Sequence, residues 1–274
     1  MDKVGVIIPV ISLYNEYTKQ CLEDLFSQSY VGEVFIHVVD NGSTDSTRRD
    51  CMKLVEVGKI GMYTSNGVNS GVASSWNFGV ETAIEHGCDK FLILNNDIRL
   101  DSRVIERLVR RLNKSDVGMA TCMDICGNVS DPLLAKKYMS TVDVSSVEES
   151  EHPNFSAFML DIKTWNKIGR FDEEFFPAYF EDNSYHYRMS LAGLKAITFP
   201  PALFYHFGSR TQQTALNGNT PITNKMFEEN RDRFFSMWGG LPGQEKFTHP
   251  YNLDSLTYSK CTDGKTFDTI INNN

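Results

Sequence analysis

The sequence predicts an α/β fold built on a mostly parallel sheet flanked by helices, and three observations carry that expectation. Short aliphatic runs bounded by turn residues alternate with stretches of helical spacing, the order from which doubly wound sheets are made. Two of these runs, Val34–Val39 and Phe91–Leu94, end in polar turns that hold Asp40 and Asp97. Ligands of open α/β sheets gather at the carboxyl ends of such strands, so the two carboxylates point to one shared site. The competing reading is that each Asp caps the helix after it. Third, 274 residues suit one large domain with a tail, or at most two small ones.

The elements follow in order. Val4–Ile8, closed by Pro9, reads as the first strand, with the proline tolerated at its end. Tyr17, Cys21, Leu22, Leu25 and Phe26 recur at helical spacing and predict a helix over residues 16–29. Val34–Val39 is the second strand, and Ser43–Thr47 opens a helix reaching about Val57. Residues 60–64 form a third, short strand. A helix over 72–86, stopped by Gly87, leads to the strand Phe91–Leu94.

The second half changes character. Strands are expected at 117–122 and 155–160, a short helix at 163–168, and a polar acidic loop at 143–151. The aromatic stretch 171–180 is irregular. A helix over 182–192 ends at Gly193, Leu203–Tyr205 looks like a strand, and residues 208–223 read as a mobile loop. A last helix over 226–238 stops at Gly239 and Gly240, and the polar tail beyond is expected to fray. No internal repeat is present.

Composition narrows the function classes. Hydrophobic content of 41% and charged content of 23% are ordinary for a globular protein. A net charge of −8 gives no electrostatic reason to expect nucleic acid or an anionic membrane as partner. The basic stretch 103–114 alternates arginines with aliphatic residues as an amphipathic helix does, so a solvated face is its default reading. Six cysteines form no Cys-x-x-Cys pair, and Cys122 and Cys126 lack a second ligand pair, so buried thiols are expected. No run reaches the ~18 apolar residues of a bilayer span, and no signal segment precedes Val4. A soluble, cytoplasmic protein is the expectation.

Seven motifs stand in register over residues 4–240: Ile7-Ile8-Pro9-Val10; Val38-Val39-Asp40-Asn41-Gly42-Ser43-Thr44-Asp45; Asn69-Ser70-Gly71 with Asn77-Phe78-Gly79; Leu92-Ile93-Leu94-Asn95-Asn96-Asp97; Gly169 through Phe176; Tyr179-Phe180-Glu181-Asp182; and His206. With these the chain resembles the family 2 glycosyltransferases of the GT-A fold, and among them the rhamnosyltransferase-type members. The resemblance implies a Rossmann-like sheet whose residues 1–115 bind a nucleotide-sugar. Residues 116–240 would form a smaller acceptor-binding and catalytic half, and 241–274 a C-terminal extension.

The residue chemistry can be set beside that resemblance. Asp40 at a strand end can accept the imide N–H of uracil or thymine, and the resemblance implies that role. Asn41 stands where many relatives have a second Asp. Ser43 and Asp45 read first as caps. Pro9, Asn69 and Gly71 complete the expected donor-binding set, the last two before a helix whose amino end can face phosphate. A departing pyrophosphate needs its charge neutralised, which a hard divalent cation with oxygen ligands does. Relatives place an Asp-x-Asp motif here; this chain has Asn95-Asn96-Asp97, leaving Asp97 as ligand and Asn95 as a donor-binding contact. His206 matches a family histidine that completes metal coordination, and Mn²⁺ or Mg²⁺ both fit. The competing reading of His206 is a satisfied buried histidine.

Glycosyl transfer also needs a base for the proton of the attacking hydroxyl. The resemblance implies Asp182 as the base of an inverting single displacement, with Glu181 orienting or binding the acceptor. Ser184 stands where relatives often have a further Asp. Asn230 and Arg231, in Glu229-Asn230-Arg231-Asp232-Arg233, resemble a late family motif, and Arg231 can meet donor phosphates or form a surface salt bridge. Trp76 and Trp165 can stack on sugar or pack in the core.

The expected function is thus metal-dependent transfer of a hexose or deoxyhexose from a UDP- or dTDP-sugar to an acceptor hydroxyl, most often on a glycan. Protein, a small metabolite or a modified nucleic-acid base stay open as acceptors. The alternative is a degenerate nucleotide-sugar or glycan-binding module without turnover. A sugar-1-phosphate nucleotidyltransferase would want a glycine-rich basic loop after the first strand, and a dehydrogenase a Gly-x-Gly-x-x-Gly there; the chain has neither.

Overall fold

Every aliphatic run becomes a strand of one sheet. The computed structural model describes residues 2–114, 116–129, 131–208 and 224–253. Among these, eight strands run in the order β3-β2-β1-β4-β7-β6-β8-β5. They are β1 (Val4–Val10), β2 (Val34–Asp40), β3 (Met62–Ser65), β4 (Lys90–Leu94), β5 (Ile98–Leu100), β6 (Met119–Asp124), β7 (Ala157–Asp161) and β8 (Ala196–His206). The first four are parallel neighbours, as expected for strands joined by crossover helices. β7 then runs antiparallel between β4 and β6, while β6 and β8 are parallel and β5 closes the edge antiparallel to β8.

The helices are α1 (Lys19–Phe26), α2 (Thr47–Glu56), α3 (Val72–Glu85), α4 (Val104–Leu112), α5 (Pro132–Thr141), α6 (Ile162–Ile168), α7 (Glu181–Leu191) and α8 (Asn224–Trp238). Two apolar clusters form the main core. One gathers Val6, Ile8, Val38, Leu92 and Leu94 with the inward residues of α1 and α4. The other gathers Ile7, Val39, Phe91 and Ile93 with α3, α6, α7 and the end of α8. Alternate residues of β1 face opposite clusters, as the period of a strand dictates. Trp76 and Trp165 both belong to the second cluster, so packing accounts for them.

Several expectations need correction. The strand β1 passes through Pro9 to Val10; β4 pairs with it only as far as Ile7, so the missing N–H meets no ladder demand from that side. The helix expected over 16–29 begins as a π-type turn, Tyr14–Thr18, after Ser12 and Leu13 in the left-handed region, and α1 ends at Phe26. The strand near residue 203 is eleven residues long.

β5 and α5 were not anticipated. Three residues are too few to show a period, and α5 turns Leu133 and Leu134 to solvent while burying Ala135 and Met139, which blurs its pattern. Its Asp131 cap and Pro132 were nevertheless a legible start, since Leu133 N donates to Asp131 Oδ1 at 2.9 Å. The basic helix is no simple solvated face. Arg111 is buried and forks onto Asp116 (2.6 and 3.1 Å) and Glu149 (2.6 and 2.8 Å), while Arg107 pairs with Asp101 at 2.6 Å. The acidic loop is accordingly pinned, and Thr198 N also donates to Ser150 O at 2.8 Å. Of the segment 208–223 only Gly208 is described, and Cys261 with the rest of 254–274 lies outside the described residues. No described helix is long and apolar enough to cross a membrane.

Candidate active site

The carboxyl ends of β1, β2 and β4 lie side by side, which brings the first group of candidate residues together. Asp40 ends β2 opposite Val10 of β1, and Asn41 N donates to Val10 O at 2.8 Å. The Asp40 carboxylate is almost fully buried. Its Oδ1 accepts from Ser43 N (2.8 Å) and Ser43 Oγ (2.6 Å), and its Oδ2 accepts from the Tyr63 hydroxyl. Three donors hold the acid in one orientation, with lone-pair capacity left on Oδ2. Burial first, and then Asp40 itself, raises the Tyr63 phenol, so it stays a donor.

Asn41 extends the cluster. Its Oδ1 accepts from Ser70 Oγ at 3.0 Å and from Asn66 Nδ2 at 3.4 Å, and its Nδ2 reaches Gly71 O at 3.4 Å. Asn69 Oδ1 accepts from Gly71 N at 2.9 Å. Gly71 has φ +89° at the start of α3, a value that L residues avoid, and an added Cβ would stand 3.2 Å from the Phe176 ring. A cavity of about 340 Å³, lined by Arg48, Met52, Tyr63, Ser65, Asn66 and Gly67, shares Tyr63 and Asn66 with this cluster. Ser43 and Asp45 serve the local fold: Ser12 N donates to Ser43 Oγ (2.7 Å), and Asp45 Oδ1 accepts from Thr47 N (3.0 Å) and Thr47 Oγ1 (2.5 Å).

The second group lies on the link from β4 to β5, beside the end of β8. Ile98 pairs with His206, which sets Asp97 Oδ1 3.2 Å from His206 Nε2. Burial, the largest influence on His206, disfavours its charged form. The hydrogen bond and charge of Asp97, with the charge of Asp124, outweigh it and raise the imidazole pKa. Asp124, at the end of β6, also accepts from His206 N at 3.3 Å. Asn95 is partly exposed beside this pair and Asn96 turns inward, its Nδ2 donating to Thr18 Oγ1 at 2.9 Å. Among the described residues no group of three or more His, Cys, Asp or Glu is arranged to hold an ion. The carboxylate and imidazole that do meet are nonetheless donors Mn²⁺ and Mg²⁺ accept, a partial set that a ligand's oxygens would complete.

The third group opens α7. Glu181 is buried, its Oε2 has no partner, and burial followed by the Asp182 charge raises its pKa well above the ordinary carboxylate value. Asp182 is partly exposed, accepts from Asn183 N at 2.8 Å, and is also raised by burial. The turn before them is tied to the first group, because Val72 N donates to Pro177 O at 2.9 Å.

Arg231 joins none of these groups. It forks onto Asp232 Oδ1 (3.0 and 2.9 Å) on a half-exposed face of α8. Residues without an assigned role do more. Asn77 braces the segment before the turn, exchanging hydrogen bonds with Phe171 O (2.9 Å) and Phe171 N (2.8 Å). Its place in the motif Asn77-Phe78-Gly79 was the available signal. Tyr63 could be found only through the sheet register, which sets it against Val38, two residues before Asp40.

A mixed eight-stranded sheet packed between helices is the GT-A architecture, shared with the solved structures named below. The chain belongs to glycosyl transferase family 2, whose model matches residues 6–170. A dTDP-rhamnosyl transferase of Shigella flexneri, RfbF, is 26% identical over 181 residues, covering 63% of this chain and 60% of that protein. An N-acetylglucosaminyltransferase of Neorhizobium galegae is 30% identical over 125 residues, 44% of this chain and 27% of that protein. The chain thus spans less than two thirds of the length of either relative. Among solved structures, S. aureus TarS 1-349 in complex with UDP superposes with a TM-score of 0.56 at 17% identity, over 85% of this chain and 64% of that one. The mannosyltransferase PcManGT of Pyrobaculum calidifontis, in complex with GDP-Man and Mn²⁺, gives 0.57 at 15% identity, over 98% and 68%. At these identities the structures bear on the fold.

Proposed function

We propose that this chain is a metal-assisted, inverting glycosyltransferase that moves a hexose or deoxyhexose from a UDP- or dTDP-linked donor to an acceptor hydroxyl. The observation that carries the reading is the pairing of a preformed acceptor at Asp40 with a partly desolvated carboxylate at Asp182, joined through the Pro177–Val72 hydrogen bond. Residues 1–115 act as the donor half and 116–240 as the acceptor and catalytic half. The relatives' names, a dTDP-rhamnosyl and an N-acetylglucosaminyl transferase, support the donor class.

In this reading Asp40 takes the imide N–H of the base on its remaining Oδ2 lone pair, while Asn41, Asn69 and Gly71 line the nucleotide. Asp97 and His206 hold the divalent ion, which when bound neutralises charge on the pyrophosphate. Asp182 accepts the proton of the attacking hydroxyl, a task burial favours by raising its basicity. Glu181, its buried carboxyl pushed toward the neutral form, offers a hydrogen-bonding group to the acceptor. A cytoplasmic setting is supported by the four buried free thiols, Cys21, Cys51, Cys88 and Cys122.

Turnover of a panel of UDP-, dTDP- and GDP-sugars, read as slow donor hydrolysis, tests the proposal. Hydrolysis of a uracil- or thymine-linked donor supports it. Tight binding of UDP or dTDP without hydrolysis of any donor would favour the binding-module alternative, which the loss of one motif carboxylate at Asn95 keeps in view.

A further inference from the structure

We infer that Asn230 is a positioning residue whose buried amide clamps the turn 176–180 and so sets the direction in which Glu181 and Asp182 are presented. The inference rests on the proposed role of Asp182 and adds the part that aims it. Asn230 is 2% exposed on the inner face of α8, and its Nδ2 stands 2.9 Å from Ala178 O, 3.2 Å from Phe176 O and 3.4 Å from Tyr179 O. An amide has two N–H groups, so three carbonyls within reach means the turn is wrapped around that nitrogen.

The turn needs an outside hold. Tyr179 and Phe180 have φ of +77° and +74°, a region that bulky L residues rarely occupy. Phe180 is also the residue from which α7 departs, with no side chain capping it. Its backbone angle therefore fixes where the first turn of α7, and the acid pair on it, points. The clamp is a stripe on one helix face, Phe227, Asn230 and Phe234 at spacings of three and four. Phe227 lies 5.2 Å from the rings of both Tyr179 and Phe180, and Phe234 lies 5.8 Å from Phe180. A separate tie joins the far end of α8 to α7, where Trp238 Nε1 donates to Ser184 Oγ at 3.1 Å. It touches the helix but not the turn, which makes it a control.

The experiment compares Asn230→Ala, Asn230→Ser (which keeps one donor) and Ser184→Ala in the full chain. Amide hydrogen exchange is expected to quicken in residues 176–184 of Asn230→Ala, with the β1, β2 and β4 amides unchanged. UDP and dTDP affinity should stay within about twofold, while kcat falls by about 10²-fold, the scale of a misplaced reacting group. Asn230→Ser should recover part of the loss, and Ser184→Ala should show little. In an Asp182→Asn background, Asn230→Ala should change kcat less than about twofold, because the group it aims is already gone. A loss that multiplies undiminished in that background overturns the inference. So does unchanged exchange in 176–184, or exchange that rises across the whole sheet. Should no sugar nucleotide be turned over, the functional reading fails, and the exchange pattern alone then upholds or overturns the clamp.

Discussion

The two ends of the candidate site handle polar groups in opposite ways. At the ends of β1 and β2, Asp40 and Asn41 are held by hydrogen bonds with Ser43, Tyr63, Asn66, Ser70 and Gly71. At the start of α7, Glu181 Oε2 is buried with no partner, two bulky residues hold positive φ, and both acids are pushed toward their neutral forms. The first arrangement is locally satisfied and presents a fixed shape. The second holds unfavourable local energy, about 1–3 kcal/mol per strained residue, which persists only because its surroundings over-determine it. Binding favours satisfied groups, whereas proton transfer favours a carboxylate whose charge is poorly solvated.

The comparison can be broken or sharpened by measurement. The largest effect is expected from metal removal: excess EDTA should abolish turnover, and Asp97→Ala should do the same while UDP still binds weakly. Full activity in chelator would leave neutralisation of the leaving group to a cation of the chain itself. Next, Asp182→Asn should lower kcat by about 10²–10⁴-fold with nucleotide affinity intact, and the wild-type product should have inverted anomeric configuration. A variant at the wild-type rate, or a retained configuration, would erase the catalytic side of the contrast.

Asp40→Ala should act on the other side, weakening UDP or dTDP by about 1.5–3 kcal/mol, roughly ten- to a hundredfold, in a calorimetric titration. It also strands Ser43 and Tyr63, so a modest drop in Tm should accompany it. Equal nucleotide affinity in mutant and wild type would move the base elsewhere.

The smallest effect concerns Glu181. Its folded pKa is raised above the ordinary 4.5, so its contribution to stability is fully present below that value and is lost as pH rises through the folded pKa. Glu181→Gln keeps a neutral side chain at every pH. Its Tm should therefore draw ahead of wild type as pH rises from about 4.5 to 8, by roughly 2–4 °C per kcal/mol for a chain of this size. A gap that narrows with rising pH would show that Glu181 is ionised and satisfied in the native state.

Much of this contrast was legible in the sequence because strand ends are announced by aliphatic runs. Asp40 and Asp97 were located by where those runs stop, and Glu181 and Asp182 by a motif at a helix start. What could not be read depends on partners far along the chain. Arg111 sits in a basic stretch and looks solvated, yet Glu149, from another segment, draws it inside. Asn230 stands out only as the neighbour of Arg231 in a late motif, with no role of its own, and the turn 50 or so residues earlier gives it work. Tyr63 belongs to a four-residue strand, and its meaning comes from the strand beside it. Helical and strand periods report which face is inward; they do not report what waits there.

Gly79 has a mechanical consequence. An added Cβ there would stand 2.3 Å from Ile7 Cγ2, so α3 rests on β1 with no room for a methyl group. The same helix begins at Gly71 and carries Asn77, which grips Phe171 on the segment leading to the acid pair. α3 is thus a strut bolted at its middle, with the loop proposed to hold the nucleotide at its start and the segment leading to the proposed base fastened near the bolt. Motion on substrate arrival must then be taken up by the loops at its ends, because any tilt of the strut would move both sets of functional groups at once.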